Sequence, residues 1–69
     1  MPSAVIAKYE YDELRQELMV TYQSGITYRY LEVPVEVYRR MRSYTSKGAF
    51  LNLYIKGQYE FIKVGDSSA

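Results

Sequence analysis

The 69 residues carry a net charge of +1, nine tyrosines and no cysteine, histidine or tryptophan, which leaves room for one domain with a thin core. A chain this short buries only about 60% of the surface its unfolded form exposes, and without Cys or His neither a disulfide nor an ordinary zinc site reinforces it. The same absences exclude thiolate nucleophiles, imidazole bases and the triads built on them. With no P-loop and no dinucleotide fingerprint, neither an enzyme nor a cofactor is expected.

The opening residues, Met1-Pro2-Ser3-Ala4, are not a basic region followed by an apolar stretch, and no apolar run approaches membrane-spanning length. A cytoplasmic protein without a membrane partner is the expectation. From Ser3 to Tyr11, Val5, Ala7, Tyr9 and Tyr11 alternate with Ala4, Ile6, Lys8 and Glu10, the period of two that predicts a half-buried strand. Asp12-Glu13 begins a turn. Leu18, Val20 and Tyr22 then alternate with Met19 and Thr21, and Gln23-Ser24-Gly25 supplies the glycine of a tight hairpin before Ile26 opens a third strand.

The period changes at Val33-Pro34. Proline fits the start of a helix because its missing N–H has no partner there, and Glu36 complements the helix dipole. Val37, Met41 and Tyr44, flanked by Tyr38, form one apolar stripe, and Arg39, Arg40 and Arg42 point elsewhere. Thr45 or Ser46 can cap a second helix with Phe50, Leu53 and Tyr54 as its stripe, and Gly57 is a natural stop. Tyr59 to Val64 has strand composition suited to the sheet edge, and residues 65–69 are expected to be a disordered tail after a single domain over 1–64. The predicted fold class is α+β: a small antiparallel β-meander with two helices packed on one face and a short C-terminal strand.

Charge is unevenly divided along this plan. Residues 1–28 set Lys8 and Arg15 against Glu10, Asp12, Glu13 and Glu17, a net −2, whereas residues 29–56 set Arg29, Arg39, Arg40, Arg42, Lys47 and Lys56 against Glu32 and Glu36, a net +4. A clustered positive field attracts phosphate, although a charged helix face is also an ordinary solvated face. The carboxylates of the first hairpin fit a solvated turn better than a site for a hard cation such as magnesium, because no calcium-loop spacing accompanies them.

Tyr11-Asp12, Leu18-x-Val20-x-Tyr22, Gly25, Tyr28-x-Tyr30, Val33-Pro34, Val37-Tyr38, Ser46-x-Gly48 and Phe50-x-Asn52 together resemble the KTSC domain, a module at the C-terminus of some lysyl-tRNA synthetases and in small free-standing bacterial proteins. The resemblance runs from about Ser3 to Ile55, with Tyr28-x-Tyr30 as the family's hallmark and Tyr22 where phenylalanine often stands. It implies the fold above and a proposed RNA-binding role, suggested by the synthetase association.

Two places admit two readings. Tyr28 and Tyr30 are either a stacking platform for bases or core residues, and the alternation that groups them with Ile26 favours the core. The opposite face then holds Ile6, Met19 and Leu31 with Lys8, Thr21 and Arg29, an amphipathic surface suited to self-association. At Ser46-Lys47-Gly48, a helix entry with free N–H groups, a glycine and a lysine can receive a phosphate, or simply be capped and tightly packed. The expected function is a non-catalytic binding module for RNA such as tRNA. Arg39, Arg40, Arg42, Lys47 and Lys56 would neutralise phosphates, Gly48 would admit one at the helix entry, Asn52 one turn later would hydrogen-bond the ligand or simply hold the loop, and Arg29 or an exposed tyrosine would touch bases. The alternative is a protein-interaction or homodimer module whose open sheet face is the interface.

Overall fold

The computed structural model describes residues 6–66. Four strands, β1 (Ile6–Asp12), β2 (Glu17–Tyr22), β3 (Ile26–Tyr30) and β4 (Phe61–Asp66), form one antiparallel sheet in sequence order. Between β3 and β4 the chain forms α1 (Val35–Ser43), α2 (Lys47–Phe50) and, running on from α2, a π-helical segment, Leu51–Ile55. The α+β meander is therefore present, and its C-terminal segment pairs with β3 as the fourth strand. That strand extends to Asp66, so Gly65 and Asp66, expected in the tail, belong to the sheet. The rest of the expected tail, and Ser3 to Val5 of the first predicted strand, lie outside the described residues.

Register fixes the two faces. Tyr11, Leu18, Tyr30 and Phe61 lie side by side across the four strands, as do Tyr9, Val20, Tyr28 and Lys63. On the other face Glu10, Met19, Arg29 and Ile62 form one row and Lys8, Thr21, Thr27 and Gly65 the next. Leu18, Val20, Tyr22 and Tyr30 from the first face meet Val33, Met41, Phe50, Leu51 and Ile55 in the buried core. Ile6 departs from the expected open face: the register slips between Ile6 and Lys8, and the extra residue turns Ile6 onto the core. Leu31 departs too. Past the end of β3 its N–H donates to the Glu60 carbonyl, and it lines a separate hollow with Glu32, Gln58, Tyr59 and Glu60.

The hallmark pair divides. Tyr30 is 2% exposed and belongs to the core, whereas Tyr28 is only half-buried, its ring edge-on to Tyr22 at 5.6 Å and to Phe61 at 5.1 Å. Both point to the helix-bearing face, but Tyr28 stands at the middle of β3, beside a register slip at Thr27/Tyr28 and opposite Lys63.

The connection from β3 to α1 is anchored by the first hairpin. Val33 is fully buried, so both of its backbone polar groups need partners. Its N–H donates to the Gln16 carbonyl at 2.7 Å, and its carbonyl accepts the hydroxyl of Tyr11. Gln16 reaches this position with a left-handed φ of 56°, and Glu32, beside Val33, has φ 57°. The Tyr11 ring stacks on Tyr38 of α1 at 4.5 Å, joining the strand to the helix that follows the latch. Burial first, and then the nearby carboxylates of Glu13, Glu36 and Asp12, raise the Tyr11 phenol above its ordinary range.

The second helical stretch does not bury the expected stripe. Phe50, Leu51 and Ile55 are in the core, whereas Leu53 and Tyr54 face outward. For Tyr54 the cause is the π winding, closed by the Lys56 N–H on the Leu51 carbonyl. At the usual helical pitch Tyr54 falls between Phe50 and Ile55 on one face; with i→i+5 winding it swings to the rim.

Candidate nucleic-acid interface

α1 begins at Pro34, whose carbonyl accepts the N–H groups of Val37 and Tyr38, and ends where Tyr44 N–H bonds to the Met41 carbonyl. Met41 is its buried anchor, so the arginines on the rest of the wheel are forced outward. Arg39, Arg40 and Arg42 are all exposed. Arg40 leans over the rings of Tyr54 at 5.1 Å and Phe50 at 5.8 Å, while Arg42 leans over Tyr38 at 5.9 Å. Residues 40 and 42 lie on opposite flanks of a helix, so α1 is a ridge of three guanidinium groups between two aromatic slopes. One slope is Tyr38 with Tyr9 and Tyr11; the other is Tyr44, Phe50 and Tyr54.

The remaining candidates fall in different places. Lys56 is exposed, with its ammonium 5.6 Å from the Tyr22 ring, on the helix-bearing side of the sheet. Asn52 is exposed on the π-helical segment, and Gly48 is buried inside α2. The Ser46-Lys47-Gly48 entry is largely engaged by the protein itself. The Ser46 hydroxyl accepts the Ala49 N–H at 3.2 Å, and the Lys47 ammonium turns back to the carbonyls of Arg42 at 3.0 Å and Tyr44 at 2.7 Å, closing the end of α1.

Arg29 is set apart from the others by the sheet. Its guanidinium pairs with Glu17 at 3.5 Å on the face away from the helices, in a hollow shared with Glu10, Asp12, Arg15 and Met19. An acidic setting of that kind repels phosphate. The alternation that put Arg29 opposite Tyr28 and Tyr30 already contained this separation. What sequence reasoning missed altogether was the outward slope of Tyr44, Leu53 and Tyr54, because it read these residues as buried stripes.

Two of the first-hairpin carboxylates, Asp12 and Glu17, have local partners. Asp12 accepts the N–H groups of Leu14 and Arg15 within the turn, and among the described residues no acidic group assembles into a metal site. No helix among the described residues is long and apolar enough to cross a membrane.

The KTSC domain family model matches residues 2–59. The chain belongs to the KTSC domain family. A crystal structure of a KTSC domain protein from Yersinia pestis superposes with a TM-score of 0.85 at 32% identity, covering 94% of this chain and 92% of that one. A protein of Tsukamurella paurometabola is 33% identical over 60 residues, 87% of this chain and 90% of its own length. A lysine–tRNA ligase of Nostoc punctiforme is 34% identical over 58 residues, which are 84% of this chain and 10% of the ligase. The chain thus spans about a tenth of the ligases it matches and most of the small protein, so the KTSC domain is a module that occurs in both settings. Of the motif residues, Tyr11 forms the latch, Leu18, Val20, Tyr22, Tyr30, Val33 and Phe50 build the core, Gly25 turns the hairpin at φ 98° and Ser46 caps α2.

Proposed function

We propose that this KTSC domain is a non-catalytic, cytoplasmic RNA-binding module that meets its ligand along α1. The observation that supports it is the ridge of Arg39, Arg40 and Arg42, held outward by the buried Met41 and flanked by aromatic rings on both sides. Guanidinium groups complement the charge of a phosphate backbone, and aromatic slopes beside them offer faces to bases. Lys56 extends the positive surface on the same side of the sheet, and Arg29 is outside it. The occurrence of the domain within lysine–tRNA ligases makes tRNA the first RNA to try. Titration of mixed tRNA at low salt tests the reading: a complex that Arg39→Gln/Arg40→Gln/Arg42→Gln weakens supports it, and no complex with any RNA refutes it.

A second reading rests on the sheet's uncovered face. There Ile62 and Val64 are nearly half exposed, and a shallow hollow is lined by Lys8, Met19, Thr21, Thr27 and Val64. Self-association through this face predicts a concentration-dependent dimer in sedimentation that Met19→Lys abolishes; a monomer at every concentration rules it out.

A further inference from the structure

The outward aromatic slope beside α1 requires its own explanation. Leu53 is 60% exposed, Tyr54 39% and Tyr44 37%, in a domain too small to leave large apolar side chains outside without consequence. Tyr54 is outside because the helix is wound as a π-helix over Leu51–Ile55, an uncommon geometry that recurs at functional sites; Leu53 lies on the same segment, and Tyr44 stands at the end of α1. The rings are also held in place. Tyr44 meets the buried Phe50 edge-on at 5.3 Å, Tyr54 meets Phe50 at 4.8 Å, and the two tyrosines meet each other edge-on at 6.2 Å. Arg40 lies 5.1 Å over the Tyr54 ring, so a planar cation is already positioned on the platform.

From this geometry we infer that Tyr44 and Tyr54, with Arg40, form a stacking site for the unpaired bases of single-stranded RNA, a proposal that rests on the RNA reading of α1. The charge beside the rings selects the ligand class: Arg40 lies over Tyr54, and Arg39 and Arg42 are exposed on the same helix, all cations that complement phosphate. The rings select the strand state. Bases within a duplex have their faces stacked on one another, so only an unpaired base can lie on a tyrosine or a guanidinium plane. Prior fixation of the rings by Phe50 reduces the ordering cost on binding. The hallmark Tyr30, at 2% exposure, is unavailable for this role, and the stacking surface lies instead on the helical layer.

The test compares a labelled single-stranded oligouridylate with a blunt RNA duplex of the same length, by fluorescence anisotropy. The single strand should bind more tightly. Tyr54→Leu, which keeps apolar bulk but removes the π face, should weaken single-strand binding about 10-fold and leave duplex binding unchanged, whereas Tyr54→Phe should stay within about twofold. Should Tyr54→Leu unfold the domain, Arg40→Lys serves instead, because it keeps the charge and loses the plane; it should weaken single-strand binding severalfold. On wild-type protein, the aromatic NMR signals of Tyr44 and Tyr54 should move on adding oligouridylate. Equal binding of duplex and single strand, unaffected by these substitutions, overturns the stacking site and leaves the RNA reading standing. No binding of either RNA overturns both.

Discussion

Tyr22 and Tyr30 place two hydroxyls in the core, bonded to each other at 3.2 Å. Replacing one by phenylalanine keeps the ring and removes half of the pair, so the cost falls on the hydroxyl left behind. Tyr30 is 2% exposed and Tyr22 8%, so Tyr22→Phe strands the more deeply buried group. A buried hydroxyl without a partner costs about 1–3 kcal/mol, and Tyr22→Phe should therefore lower stability by about 2 kcal/mol and Tyr30→Phe by about 1. The double variant, with no hydroxyl left to satisfy, should recover most of that loss, giving a coupling of about 2–3 kcal/mol. In a domain of this size each kcal/mol moves Tm by roughly 4–8 °C, well within the reach of thermal melts followed by circular dichroism. Additive losses in the double variant would refute the hydroxyl pair, and a larger loss from Tyr30→Phe would refute the order of burial.

The same pair predicts a loss of stability in alkali. Burial raises both phenols above their ordinary value of 10.0, with the Tyr30 hydrogen bond as a second cause at Tyr22. The folded state keeps protons that the unfolded state releases above about pH 10, so the stabilisation is fully present below that pH and is lost as pH rises beyond it. Tyrosinate absorbance should then appear in two stages, the second coinciding with unfolding. Phe50→Ala should cost about 3–5 kcal/mol, comparable with the whole stability of a domain this size, and leave no cooperative melt. Ser46→Ala removes the cap on Ala49 N–H and should cost about 1 kcal/mol in the same melts, with Ser46→Asp retaining most of it.

The sheet was legible because a period of two has meaning wherever one face is buried. Leu18, Val20 and Tyr22 alternated with Met19 and Thr21, and the structure places the first set in the core. Parity has no information about where along a strand the helices end, so it assigned Tyr28 and Tyr30 alike although their burial differs. Nor does it reveal a register slip, which is why Ile6 was placed on the wrong face. The second helix was misread for another reason. Periodicity presumes 3.6 residues per turn, and the π winding that exposes Tyr54 depends on the competing packing of Leu51 and Ile55, which no local pattern shows. The basic cluster was visible as composition, but its division into an α1 ridge and a separate Arg29 required combining charge with strand parity.

The claim that RNA is bound along α1 is tested most directly by the salt dependence of tRNA affinity in two variants. A single-stranded contact contributes a slope of about 0.7 per neutralised phosphate, so Arg39→Gln/Arg40→Gln/Arg42→Gln should reduce the slope of log affinity against log salt by about 2. Arg29→Gln, on the opposite face beside Glu17, should leave that slope unchanged. An unaltered slope in the triple variant, or an equal reduction from Arg29→Gln, would contradict the account.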